Sequence, residues 1–229
     1  MTNQTLGNWL TDAALPTGLL RVEKAIDPYE YEAPAILEHL ERQNAAPPPV
    51  HFINPQGLHG EKAELGIVFN AYGALASVAS ALDLQADSWP ELLSLYQIKV
   101  AQTHKPTVVT EGDVPAHEEV RRGDDVDLRI LPWTRHVLMD GGPYFTPTVV
   151  ARAPGGERYN LSWNRAMYLD RRHISLHISP RHLWSYHRSA EEQGHDLPVA
   201  LILAITQRSI WPRRHSHRSR TMSTTSPAL

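Results

Sequence analysis

Apolar and polar positions follow two different rhythms along this chain of 229 residues. In the first hundred, short apolar runs alternate with stretches of helical period. Residues 18–26 read as a strand. Asp27 stands where a helix cap is expected, with Pro28 and Glu30 in the first turn. Ile36, Leu37 and Leu40 then form an apolar stripe, with Glu38, Glu41 and Arg42 on the wet side. Ala45-Ala46-Pro47-Pro48-Pro49 ends that helix, because proline cannot continue the backbone ladder. Residues 50–53 and 67–69 predict two further strands, and 72–82 an alanine-rich helix. Ser88-Trp89-Pro90-Glu91 has the form of a capping box with proline near the helix start, followed by Leu92, Leu93, Leu95 and Ile98. The alternation predicts an α/β unit over residues 1–103.

The rhythm changes near residue 103. Residues 108–114 and 126–131 are short apolar segments, separated by the turn signal Gly123-Asp124-Asp125. Residues 144–153 and 158–168 flank Pro154-Gly155-Gly156, which predicts a hairpin. Residues 174–178 read as a strand, 180–193 as a helix with Gly194 as its C-cap, and 197–205 as a last strand. Closely spaced antiparallel strands with one inserted helix predict a small barrel or sandwich, so the expected fold class is α+β.

Composition narrows the class. No run approaches the roughly 20 apolar residues of a membrane helix. The start lacks the basic and apolar parts of a secretion signal, so the expected location is cytoplasmic. Cysteine is absent, which removes disulfides and thiolate chemistry. The net charge of −3 argues against nucleic acid as a partner of the whole chain. Thirteen histidines are many, but none falls in an HExxH pattern. His173 and His177 share a strand face; His182 and His187, five apart on a helix, do not. Spacing alone stops at an α/β protein with a histidine-bearing site.

Residues 136–198 carry more. His136 precedes Asp140-Gly141-Gly142 and Tyr144-Phe145-Thr146; then come Asn160-x-Ser162-x-x-Arg165-Ala166-Met167, Pro180-Arg181-His182-Leu183-Trp184 and Asp196-Leu197-Pro198. In this order and spacing the pieces resemble the UbiD family of decarboxylases, over about residues 17–205. The resemblance implies a cofactor-binding split β-barrel, similar to flavin reductases, incomplete here over 104–207. It implies prenylated FMN as cofactor, delivered by a flavin prenyltransferase, with a divalent cation, usually manganese, and potassium as a further ion. By position, Asn160 and His182 match two of the metal's protein ligands, an amide oxygen and an imidazole that suit a borderline-hard cation. Arg165 matches the active-site arginine that holds a substrate carboxylate bidentately. Ser162, Trp163 and Asn164 fall against the flavin. Arg181 reads equally as a phosphate contact or a surface residue. The family often carries tryptophan at Leu161 and Ile-Ala at Trp163-Asn164, so the pocket of this chain differs. The implied partners are a small carboxylic acid, aromatic or α,β-unsaturated, and further copies in a homo-oligomer. The competing reading is a flavin-binding or partner-binding module without turnover.

After Ile205 the resemblance stops. Residues 208–229 contain five arginines and no acid, while residues 1–207 carry a net charge of −8. Back-translated with GC-rich codons and read one frame over, residues 221–228 give Asp-Glu-Tyr-Asp-Val-Ala-Gly-Ala, similar to a family segment whose glutamate is the third metal ligand. The expectation is therefore a frameshifted, unstructured tail. The family's proton-donating glutamate also lies downstream of residue 205. Expressed alone with prenylated FMN, the 229-residue chain is expected to release no carbon dioxide from cinnamate-like or aromatic acids above a denatured control.

Overall fold

The computed structural model describes residues 6–11, 18–60, 62–102 and 118–203. The expected strand at 108–114 and the tail, with its shifted-frame reading, lie outside them.

The first sheet has the order β1 (Leu20–Val22), β2 (Val50–Phe52), β3 (Ile67–Phe69). β1 runs parallel to β2, which needs a crossover, and β3 is antiparallel to β2. The crossover is α2 (Glu32–Gln43), whose Ile36 and Leu40 pack on the fully buried Val50 and Phe52. This helix starts four residues later than the cap at Asp27 predicts, with Tyr31 at the cap position. The Asp27 carboxylate does cap, but it closes a turn, accepting from the N–H groups of Tyr29 (2.9 Å) and Glu30 (3.3 Å). Tyr31 then sits at φ 64, in the left-handed region, and interrupts the turn before the helix begins. Pro34 falls within the first helical turn, where its missing N–H removes no bond.

α1 (Leu6–Thr11) lays Trp9 and Leu10 on Ala81 of α3 (Leu75–Leu82), with Trp9 stacked on Tyr72 at 5.5 Å. α4 (Trp89–Ala101) starts as its capping box predicts. Ser88 Oγ accepts from Glu91 N at 3.4 Å, while the Glu91 carboxylate accepts from Asp87 N at 2.9 Å.

Residues 126–131 are not a strand. Leu128–Ile130 is a single 3-10 turn, held by local bonds and by two distant ones, Leu128 N to Arg171 O at 2.9 Å and Glu64 N to Ile130 O at 3.1 Å, without a strand ladder. The Asp127 carboxylate accepts from Arg129 N at 3.0 Å, and the Trp133 indole donates to Leu128 O at 2.6 Å.

The second half forms two antiparallel three-stranded sheets. The predicted long strands at 144–153 and 158–168 each divide. The first becomes β4 (Tyr144–Phe145) and β5 (Thr148–Arg152), with Pro147, which has no N–H to give a ladder, just ahead of β5. The second becomes β6 (Tyr159–Trp163) and β7 (Ala166–Tyr168), parted at Asn164 and Arg165. Their halves join different sheets. β4 and β7 pair with β8 (Ile174–Leu176) in the order β4-β7-β8; β5 and β6 pair with β9 (Val199–Ile202) in the order β6-β5-β9. These are open sheets of a mixed fold. The hairpin between β5 and β6 is the predicted one: Ala153 N donates to Arg158 O at 2.8 Å, with Gly155 at φ 66.

α5 (His182–Glu192) packs on the β6-β5-β9 sheet. Its Leu183 and Tyr186 meet Val149 and Ala151. Gly194, at φ 71, ends it as predicted, donating to Glu191 O while His195 N returns to Ala190 O. Leu183 is 3% exposed. Leu183→Ala is expected to cost about 2–5 kcal/mol, read from the midpoint of urea unfolding at constant slope.

Candidate functional site

Antiparallel register decides which residues share a face, since directly opposed side chains stand side by side. Asn160 is opposite Ala151, and Ser162 is opposite Val149. Val149 and Ala151 are the residues that Leu183 of α5 covers. Asn160 and Ser162 therefore stand on the side of the sheet that carries α5, and His182 is the first residue of that helix. Alternation puts Leu161 and Trp163 on the opposite face, where Trp163 lies in register with Thr148 and is 50% exposed. Of the residues singled out in the sequence, Asn160, Ser162 and His182 thus share one side, and the Trp163 side chain does not. No hydrogen bond joins Asn160 to His182 among the described residues. His182 and Arg181 are both exposed.

Asn164 is buried, 9% exposed, at the point where the chain leaves one sheet for the other. Its N–H donates to Pro147 O at 3.4 Å. Its side chain bonds in two directions: Nδ2 donates to His177 O at 2.9 Å, and Oδ1 accepts from Ser162 Oγ at 2.8 Å. Ser162 Oγ accepts in turn from Asn160 Nδ2 at 3.2 Å. The polar residues at 160, 162 and 164 are thus bonded in a line. Their period of two was visible in the sequence; the carbonyl of His177 that receives the line was not.

Arg165 follows directly. Its carbonyl accepts from His177 N at 2.9 Å, tying the seam to the strand region after β8. Its guanidinium lies over the Tyr144 ring, with Cζ 5.7 Å from the centroid. The His136 ring is 4.6 Å from Tyr144 and 5.9 Å from Phe69 of β3. A row of Phe69, His136, Tyr144 and Arg165 therefore connects the first sheet to the seam. In the sequence His136 and Tyr144 stand out as motif members without a role. Asp140 fixes the base of the His136 turn. Burial pushes its carboxyl up, but the N–H groups of Val137 and His136, each donating at 2.9 Å, outweigh this and hold it below its ordinary value.

At the start of α5 no side chain caps the helix, and its first turn carries no acid. Its leading N–H groups and Arg181 make this end electropositive. Among the described residues no three or more His, Asp or Glu side chains gather in a metal-holding arrangement. No described helix is long and apolar enough to cross a membrane.

Residues 107–209 match the family model described as UbiD, the 3-octaprenyl-4-hydroxybenzoate carboxy-lyase Rift-related domain. Over 108 residues the chain is 40% identical to the anhydromevalonate phosphate decarboxylase of Methanothermobacter thermautotrophicus, covering 45% of this chain and 26% of that protein. It is 28% identical over 163 residues to the phenolic acid decarboxylase of Streptomyces sp. strain D7, covering 68% of this chain and 33% of that one. Among solved structures, the UbiD-class enzyme HmfF from Pelotomaculum thermopropionicum, in complex with FMN, aligns with a TM-score of 0.75 at 24% identity, over 89% of this chain and 43% of its own. The closed form of the Sedimentibacter hydroxybenzoicus vanillic acid decarboxylase aligns with a TM-score of 0.79 at 22% identity, over 90% and 44%. At such identities the structures show the shared fold. The chain spans less than half the length of the relatives it matches.

His136 is half-buried, and burial lowers its pKa from the ordinary 6.5, with the Arg165 charge adding to the effect. The native state therefore resists a proton that the unfolded chain accepts. Stability is unaffected well above 6.5 and falls as pH drops through that value toward the lower native one. His51 shifts the same way, from burial and then from Arg21. His136→Gln is expected to flatten part of the acid slope, and adding His51→Gln more of it, in denaturant midpoints taken between about pH 7.5 and 5.

Proposed function

We propose that this chain, which belongs to the UbiD family, forms the flavin-phosphate and metal-binding part of a non-oxidative carboxy-lyase for aromatic or α,β-unsaturated carboxylic acids. The observation that carries this reading is that Asn160 and the uncapped start of α5 stand on one side of the β6-β5-β9 sheet, with Arg165 at the adjoining seam. On this reading the two open sheets belong to a split barrel, and residues 104–207 form its cofactor-binding portion.

The donor set fits a cofactor that ends in a phosphate. An uncapped eleven-residue helix without first-turn acids, flanked by Arg181, is a seat for an anion. Asn160 offers a neutral amide oxygen and His182 an imidazole, two donors for Mn2+ that leave coordination positions for phosphate oxygen. Ser162 and Asn164 line the approach, and Trp163 contributes backbone. Prenylated FMN, bound here, supplies the electron sink for loss of the carboxylate. HmfF, which shares this fold, has been solved in complex with FMN and, in an evolved dimeric form, with prenylated FMN.

The chain's own residues bind and orient. The Arg165 guanidinium presents a planar fork to a substrate carboxylate, and the Tyr144 ring beneath it limits the orientations of that fork. His136, kept neutral by burial, backs Tyr144 without adding a second positive charge beside Arg165. The geometry thus favours one anionic group at the seam and another at the start of α5.

Calorimetric titration of FMN into the 229-residue chain, with and without Mn2+, tests this reading. Mn2+ is expected to tighten FMN binding. Asn160→Ala and His182→Ala should each remove about tenfold or more of that enhancement, while Arg188→Ala, on the exposed part of α5, should retain it. An FMN affinity indifferent to Mn2+ and to both ligand variants would overturn the assignment.

A further inference from the structure

An asparagine side chain has two ends of opposite character, and its environment decides which faces where. At the seam this decision is forced from one fixed point. The carbonyl of His177 can only accept, so Asn164 must turn its Nδ2 toward it, as the 2.9 Å bond shows. Its Oδ1 then faces Ser162, and an amide oxygen can only accept. The Ser162 hydroxyl must donate its single proton there, at 2.8 Å. Having spent its proton, Ser162 Oγ can only accept from the other side. Asn160 must therefore offer Nδ2, at 3.2 Å, and its Oδ1 is turned away from the relay. Three successive choices, each with one allowed outcome, run from a backbone carbonyl to the amide of Asn160.

We propose that Asn164 is a positioning residue: through Ser162 it presents Asn160 Oδ1, rather than Nδ2, to a divalent cation on the α5 side of the sheet. The inference rests on the reading of Asn160 as a ligand. It adds a residue whose side chain acts two steps away from the ion. The physical need is plain. An amide free to rotate presents a donor nitrogen to the cation half the time, and a flipped amide offers no lone pair. The burial of Asn164 keeps water from competing for the links of the relay nearest the seam. The relay also sets the sign of the electrostatic contribution, since an amide dipole with its oxygen outward favours a cation.

Two measurements separate the parts of this inference. In the metal-free chain, labelled with 15N on asparagine side chains, the Asn160 amide should show one bonded and one free proton. Ser162→Ala and Asn164→Ala should both collapse that pattern toward a freely rotating amide. Asn164→Ala strips the seam of both side-chain bonds of a buried residue and is the variant that can fail to fold; Ser162→Ala, at a half-buried strand position, then carries the test. Ser162→Thr keeps the hydroxyl on a strand-favouring residue and should restore the pattern.

In the second measurement Mn2+ itself is titrated and followed by electron paramagnetic resonance. Both relay variants should weaken its binding by about tenfold or more, the range seen when a ligand's orienting partner is removed, with Ser162→Thr close to the unaltered chain. Asn160→Ala serves as reference. If Mn2+ binding is absent, or is unchanged by Asn160→Ala, the ligand reading falls and the proposal with it. If Asn160→Ala weakens Mn2+ while folded Ser162→Ala does not, Asn160 stands as a ligand and the positioning role is overturned. If Ser162→Thr behaves like Ser162→Ala in both measurements, the hydroxyl is not the agent and the relay is overturned.

Discussion

Two strands of the second half cross from one sheet to another, and the backbone polar groups stranded by that crossing must find partners. This constraint organises the site. A backbone that leaves a ladder abandons donors and acceptors that cost roughly 1–3 kcal/mol each if buried unpaired. The crossing at Pro147 removes one donor at the outset, because proline has none. Its carbonyl is taken by Asn164 N at 3.4 Å, so the two crossings satisfy each other. The carbonyl of His177 is taken by the Asn164 side chain, and the N–H of His177 by the carbonyl of Arg165. The seam is closed by one buried asparagine. What faces outward from it, the Asn160 amide on one side and the Arg165 guanidinium on the other, is positioned as a consequence of closing it.

The legible parts of the fold were those decided within a few residues. The box at Ser88–Glu91, the hairpin around Gly155 and the glycine stop at Gly194 appear where the sequence places them, since each depends on neighbouring groups. The start of α2 was misplaced because two cap signals compete. Asp27 caps a turn, and Glu32 reaches back to the N–H of Asp27 only after Tyr31 has reversed its backbone. Residues 126–131 have the composition of a strand, but the Asp127 side chain bonds Arg129 N two residues on and curls the chain, and single bonds to Arg171 O and Glu64 N take the place of a ladder. The divided strands were half visible. Pro147 marks the first break in the sequence, while the second falls at Asn164, a residue that alone says nothing about where the chain goes next.

The candidate site shows the same division. Asn160, His182 and Arg165 were found through their spacing and the family pattern, and no rule of period would have joined a strand residue to the first residue of a helix twenty-two positions on. Their common side follows from register, which needs Ala151 opposite Asn160 and Leu183 over Ala151. The row from Phe69 to Arg165 was beyond sequence reading for a different reason. It joins residues almost a hundred positions apart through ring contacts, and rings have no spacing signature.

The two proposed cation donors are held by opposite kinds of force. His182 takes its place from the helix, and the helix takes its place from Leu183 and Tyr186 against Val149 and Ala151, a contact without direction that tolerates small slides and rotations. The Asn160 side chain is held by one hydrogen bond at the end of a three-bond relay whose direction admits one arrangement. A donor on a tolerant support and a donor on a rigid one make a site that fixes the identity of one ligand atom and leaves the separation adjustable. For a labile cation that shares its coordination with a cofactor phosphate, this division is useful. The chemical choice between oxygen and nitrogen is settled before anything binds, while the distance between the two supports can be completed by the cofactor itself.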